Sequence, residues 1–349
     1  MGSLQDRVDH VVGVDTHKAS HTAAVVLPSG AEVATQTLPT DAFGYRRLLQ
    51  FARRHAPQRR VWAIEGTGSF GRGFTTCLLE QGEWVVEIDR PARPARRNGA
   101  KSDELDATRA AREALARDHL AQPRRRGTRE AIRVLLRTRQ GAVVSRSRAI
   151  CHLKALVVTA PEGVRHQLRH LATDALLARC ARLRTTAAQS LEHRATIVAL
   201  RMTARRALSL EAEAADLESQ IEVLVTSWAP ELVAEPGVGV LTAAEVLLAW
   251  SHAGRLRSEA AFAAMAGVAP IPASSGQTRR FRLNRGGDRQ LNCALHTIVL
   301  SRLTHHAETR SYAARRLSEG KTDREVRRCL KRHLARRLFK LLENTVQSA

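Results

Sequence analysis

The chain has 349 residues, enough for two or three folding units and a substantial core, which excludes a marginal mini-protein. Its 56 Lys and Arg against 34 Asp and Glu leave a formal charge of +22, and basic runs recur at Arg93 to Arg97, Arg124 to Arg129 and Arg324 to Arg337 rather than in one tail. A field distributed in this way implies a long polyanion, most simply nucleic acid, and the preference for arginine suits bidentate phosphate contacts. The five cysteines (Cys77, Cys151, Cys180, Cys293, Cys329) are scattered without a CxxC pair, which points to reduced thiols and away from structural zinc. The N-terminus carries no signal pattern and no apolar run approaches the ~20 residues that span a bilayer, so the expectation is a cytoplasmic protein with no membrane partner.

In chain order, Val11 to Asp15 reads as a strand ending in a carboxylate, and His21 to Leu27 and Glu32 to Leu38 as two antiparallel strands joined at Pro28-Ser29-Gly30. Thr40-Asp41 supplies an N-cap for an amphipathic helix over Tyr45 to His55. Arg60 to Glu65 is a fourth strand that again ends in a carboxylate. A helix from about Phe74 to Gln81, a fifth strand over Trp84 to Ile88 and a helix opened by Lys101 to Asp106 complete the order βββαβαβα. That is the order of an α/β, RNase H-like (RuvC-like) domain, assigned to residues 1–127. Residues 128–227 have helical spacing with a break at Thr159 to Gly163, and Leu210, Leu217, Ile221 and Leu224 suit helix pairing or a short coiled coil. They read as a helical connector. Residues 228–349 form a mainly α-helical C-terminal domain, with a Gly- and Ser-rich segment over Gly267 to Gly287 and a basic final helix.

Asp15 and Glu65 end adjacent strands of such a sheet, and Asp103 and Asp106, three apart, project from one helix face. Singly each has a plain alternative: a turn cap for Asp15, a pair with Arg72 for Glu65, helix-dipole acids for Asp103 and Asp106. Four carboxylates at these stations in a basic chain predict a site for two Mg2+ ions, with Mn2+ as a substitute, and phosphoryl transfer on nucleic acid. Asp89 and Glu104 are nearby acids outside the set. His17 and Lys101 are either phosphate contacts or solvated polar residues.

Gly13-Val14-Asp15-Thr16-His17-Lys18, Ile64-Glu65-Gly66-Thr67-Gly68 and Lys101-Ser102-Asp103-Glu104-Leu105-Asp106-Ala107 resemble the DEDD domain of the IS110 group of insertion-sequence transposases, relatives of the Piv invertase. Pro236-Gly237-Val238-Gly239, Phe262 to Pro270, Ser274-Ser275-Gly276 and Arg285-Gly286-Gly287-Asp288 resemble the C-terminal domain of the same group. The resemblance implies a DNA transposase or recombinase in which a serine of the second domain attacks DNA. Ser275, beside Gly276, is the expected nucleophile, with Ser274 as the alternative; without the resemblance, Ser-Ser-Gly would read as a turn. The resemblance also implies an element-encoded bridge RNA that guides donor and target DNA, and a homo-oligomer, dimer or tetramer.

Further nucleic-acid contacts are expected at Lys18, Lys101, Arg279, Arg280, Arg282, Arg285 and Arg289, and at Gly237 and Gly239 of a helix-hairpin-helix-like segment. A simple helix-helix turn is the other reading of those glycines. The competing functions are a RuvC-like endonuclease that uses water, and a non-catalytic nucleic-acid-binding protein.

Overall fold

The run Val11-Val12-Gly13-Val14 has no charged position to send to water, so a strand built from it must be covered on both faces. It forms β1 (His10–Thr16), the centre of a five-stranded sheet in the computed structural model, which describes residues 4–88, 102–273, 281–282 and 284–347. The chain divides into two units, residues 1–125 and 126–349.

In the first unit a short helix α1 (Leu4–Arg7) precedes β1, β2 (Ser20–Val26) and β3 (Glu32–Pro39). Then come α2 (Ala42–His55), β4 (Arg60–Glu65), α3 (Arg72–Glu80), β5 (Val85–Ile88) and α4 (Asp103–Ala116). The strand order is β3-β2-β1-β4-β5, with β1 to β3 antiparallel and β4 and β5 parallel to β1. This is the RNase H-like arrangement read from the order of elements. Asp41 caps α2, its carboxylate accepting from the Gly44 N–H at 2.7 Å.

Side-chain alternation sorts the sheet into two cores. Val12, Val14, Trp62 and Ile64 pack with Leu48, Phe51, Phe74 and Leu78 of α2 and α3. Val11, Val61, Ala63, Val86 and Ile88 pack with Ala111, Ala114 and Leu115 of α4. The buried face of α4 is almost all alanine, at Ala107, Ala110, Ala111 and Ala114, so its backbone lies close to the sheet. Gly13 completes that approach: a Cβ there would sit 2.0 Å from the Ala107 carbonyl oxygen and 2.6 Å from the Ala111 nitrogen. Both obstacles are helix backbone, which cannot swing aside.

The second unit is helical. α5 (Thr128–Val158) and α8 (Leu191–Trp228) run antiparallel, tied by Arg139 to Glu218 at 2.7 Å and Arg146 to Glu211 at 2.8 Å. The break expected near Pro161 separates α5 from α6 (Glu162–Leu168), which with α7 (Thr173–Ala181) covers one end of the pair around Leu153, Leu168, Leu177 and Leu200. The chain continues through α9 (Pro230–Ala234), α10 (Val240–Trp250), α11 (Glu259–Met265), β6 (Ile271–Pro272) and β7 (Phe281–Arg282). It closes with α12 (Arg289–His305), α13 (Ala307–Ser318) and α14 (Asp323–Gln347). Ile132, Ile221, Trp250, Phe262, Ile298 and Leu338 belong to one core, so α5 and α8 share it with the C-terminal helices. Among the described residues, no helix is long and apolar enough to cross a membrane.

Replacing Gly13 with valine forces α4 off β1, and overpacking of this kind costs about 1–3 kcal/mol or more. Urea unfolding of Gly13→Val should show a lowered midpoint; an unchanged midpoint would mean that α4 does not depend on this contact.

Candidate active site

Asp15 and Glu65 lie one residue beyond Val14 and Ile64, the last paired positions of the parallel β1–β4 ladder, so the two acids occupy neighbouring register positions at one sheet edge. By alternation they continue the series Val11-Gly13 and Val61-Ala63, which is the face covered by α4. The Thr16 hydroxyl donates to the Glu65 carbonyl oxygen at 2.9 Å and ties the two strand ends together. Gly66, at φ 72°, turns the chain immediately after Glu65, a conformation that glycine adopts without a Cβ penalty.

The N-terminus of α4 arrives at the same edge. Ser102 caps the helix, its hydroxyl oxygen accepting from the Leu105 N–H at 3.3 Å, and Asp103 is the first helical residue. His17 bridges the gap: its Nε2–H donates to Asp15 Oδ2 at 3.0 Å, and the same nitrogen lies 3.3 Å from Asp103 Oδ1. One ligand atom from each of Asp15, His17 and Asp103 falls within 4.8 Å of the other two. Asp106, one turn further on, pairs with Arg109 at 2.7 Å.

Asp15 is more enclosed than Asp103 or Asp106, with its side chain 13% exposed against 48% and 29%. Burial holds its carboxyl above the usual aspartate range; His17 opposes that shift, while the charges of Asp103 and Asp106 add to it. A buried carboxylate among like charges is a site that gains from a cation.

The structure thus brings Asp15 and Asp103 together, places Glu65 at the adjacent strand end, and leaves Asp106 near enough for its charge to act on Asp15. Lys18 is exposed and its carbonyl accepts from Thr40. Sequence reasoning left His17 as one polar residue among several. The available signal was its position two residues past Asp15, but only the arrival of α4 gives it a second carboxylate.

In the second unit β6 and β7 pair antiparallel, Ile271 with Arg282 and Pro272 with Phe281, a ribbon that the sequence pattern did not reveal. Ser274, Ser275, Arg279, Arg280 and Lys101 lie outside the described residues. The Arg285 to Asp288 segment has a structural role. The Asp288 N–H donates to the Met265 carbonyl at 2.7 Å, the Asp288 carboxylate caps α12, and a Cβ on Gly287 would meet the Gly267 nitrogen at 2.3 Å. Arg285 and Arg289 are exposed beside it. Gly237 has φ 77° and packs on α12, where a Cβ would lie 2.8 Å from Arg302 Cγ; Gly239 precedes α10, its N–H donating to the Thr242 hydroxyl. Packing therefore accounts for Gly237.

Two family models match the chain: residues 12–160 match a DEDD-type IS110 model described as "Transposase", and residues 230–314 match "Transposase IS116/IS110/IS902 family". The chain belongs to the IS110 family of insertion-sequence transposases. It is also 33% identical over 131 residues to an uncharacterized 43.6 kDa protein of insertion element IS110 from Streptomyces coelicolor. That alignment takes in 37% of this chain and spans about a third, 32%, of the relative's length. The DEDD domain of the IS110 family implies a divalent metal, and the donor set fits one: hard carboxylate oxygens from two elements, one of them enclosed and crowded by like charge.

Asp15→Asn removes the enclosed charge while keeping the shape of the side chain. The metal-free IS110-family protein should then melt about 2 °C higher, and the rise in Tm that Mg2+ produces in the wild type should disappear. Differential scanning calorimetry with and without Mg2+ checks both; a Mg2+-dependent rise that survives would remove Asp15 from the site.

Proposed function

We propose that this chain is a DNA transposase that cleaves and exchanges strands of a mobile element, with Asp15, Glu65, Asp103 and Asp106 holding a pair of Mg2+ ions and Ser275, or alternatively Ser274, as the nucleophile. The observation that carries the proposal is the convergence of Asp15 and Asp103 at one sheet edge, with Glu65 at the neighbouring register position, in a member of this family. Divalent ions at such a site lower the cost of forming an attacking oxyanion and of charge on the leaving oxygen.

The protein's own groups have separate tasks. The carboxylates would hold the ions and keep competing anions from the sheet edge, and Asp15, already enclosed, would gain most from a cation. His17 holds Asp15 and Asp103 in register through Nε2. The serine hydroxyl gives its proton to solvent and its oxygen bonds to phosphorus as the bond from phosphorus to the 3′ or 5′ oxygen breaks; that oxygen takes a proton from solvent, and the phosphoserine ester replaces the broken ester and keeps the energy needed for rejoining. An element-encoded guide RNA would supply target choice, and more than one copy of the chain would bring two DNAs together. Both of these rest on the family resemblance, supported by the charge of +22.

Asp15→Ala should reduce Mg2+-dependent cleavage of element-end DNA by about a thousandfold or more. Denaturing gels of the wild type should show protein covalently attached to labelled DNA, with the adduct lost in Ser275→Ala or, for the alternative assignment, in Ser274→Ala. Cleavage without an adduct would indicate an endonuclease that uses water, and an adduct in both variants would exclude both serines.

A further inference from the structure

α14 is rich in arginine and lysine, and its cations divide into two sets. Arg327 pairs with Asp323 at 2.7 Å, Arg337 with Glu235 at 3.0 Å and Lys340 with Glu259 at 3.1 Å, and Arg336 also pairs with Glu259. These residues tie α14 to its own first turn, to α11 and to the turn after α9. Arg328, Lys331 and Arg332 instead line a cavity of about 470 Å³, together with Lys321 just before the helix and Arg282 of β7. None of these five cations forms a close ion pair among the described residues, although the charge of Glu325 acts on Arg328 and Lys321. That single acid, which also accepts from the Thr322 N–H at 2.9 Å and from its hydroxyl at 2.7 Å, offsets one of the five positive charges and leaves the cavity with an excess of four.

The cavity is built rather than incidental. Lys331 donates to Asn292 Oδ1 at 2.9 Å, and Asn292 in turn donates to the Ala266 carbonyl at 2.7 Å, which anchors the ammonium to the crossing of Gly267 and Gly287. Burial, and then the charge of Arg328, pushes the Lys331 ammonium below the usual lysine range, so this group is held where an anion would relieve it. Phe281, 64% exposed, stands at the rim. A groove with an excess of cations and an aromatic face at its edge is the combination that binds single-stranded nucleic acid, where phosphates meet the cations and a base stacks on the ring. Five cations exceed what one phosphodiester, with its single charge, requires; a strand with a phosphate at each nucleotide matches them better.

We propose that this cavity is a single-stranded DNA site, in which Arg282, Lys321, Arg328, Lys331 and Arg332 hold successive phosphates and Phe281 stacks a base. The choice of DNA rests on the transposase reading. β7 contributes Arg282 and Phe281 to the lining, and Ser274 and Ser275 precede this strand in the sequence.

The test is binding of the full chain, with both serines replaced by alanine and EDTA present, to a fluorescent single-stranded DNA oligonucleotide across a salt series. Under those conditions no strand chemistry occurs, so a failed serine assignment and an empty cavity are separate results. Arg328→Gln and Arg332→Gln, both at exposed positions, should each lower the slope of log affinity against log salt by about 0.7. Phe281→Ala should weaken binding by about tenfold, with little effect on duplex DNA. Arg327→Gln and Arg337→Gln, on the paired set, should leave the slope unchanged. Equal losses in the paired and cavity sets, unchanged binding in the cavity variants, or a loss confined to an RNA oligonucleotide would each overturn the proposal.

Discussion

The absence of a side chain at Gly13 is the constraint on which the first unit depends. With the Ala107 carbonyl and the Ala111 nitrogen so close to the position a Cβ would take, α4 lies almost backbone to backbone on the central strand. The depth at which Asp103 meets the sheet edge follows from that contact and from the alanine face of the helix. Asp15 and Glu65 are fixed separately, by the parallel ladder of β1 and β4. The site is thus the intersection of a register and a helix-packing distance, two quantities that the hydrophobic cores on either side of the sheet hold rigid.

Bringing these acids together works against the stability of the bare fold. Asp15 is enclosed, and Asp103 and Asp106 add repulsion that His17 relieves only in part. Stability elsewhere in the unit offsets this, through cores built around Trp62, Phe74, Val86 and Ile88. Such a local conflict between sequence and stability is what physical reasoning expects of a functional site. A divalent ion bound there would resolve it by replacing the repulsion with coordination. The cavity beside α14 has the opposite sign and the same logic: five cations are gathered around a single acid, where a polyanion would complete them.

Much of the first unit was legible in the sequence because each strand carried its own punctuation. Val11 to Asp15 and Arg60 to Glu65 are apolar runs ending in acids, Asp41 caps the helix that follows it, and the order of elements fixed the topology. His17 was not legible, since a histidine two residues after a strand acid has no meaning until α4 delivers Asp103 to its other side. The β6–β7 ribbon was missed because two-residue strands carry no periodicity. In the second unit, helical spacing gave the helices but not their partners. The pairing of α5 with α8 is held by apolar residues such as Ile132 with Ile221 and Leu153 with Leu200, joined by the pairs Arg139 with Glu218 and Arg146 with Glu211, between residues tens of positions apart in the sequence. The Arg285 to Asp288 motif was legible as a motif, but its task was not: it crosses the end of α11 and caps α12.

Each unit carries its own incomplete chemistry, a carboxylate cluster in one and a basic cavity beside α14 in the other. The central claim is that the sheet edge is a cation site assembled by α4. The most direct measurement is an anomalous difference map from crystals of the full chain soaked in Mn2+. The account predicts a peak within direct coordination distance of carboxylate oxygens of Asp15 and Asp103. A saturated soak with no peak at that edge, and His17 still bridging the two aspartates, would contradict it.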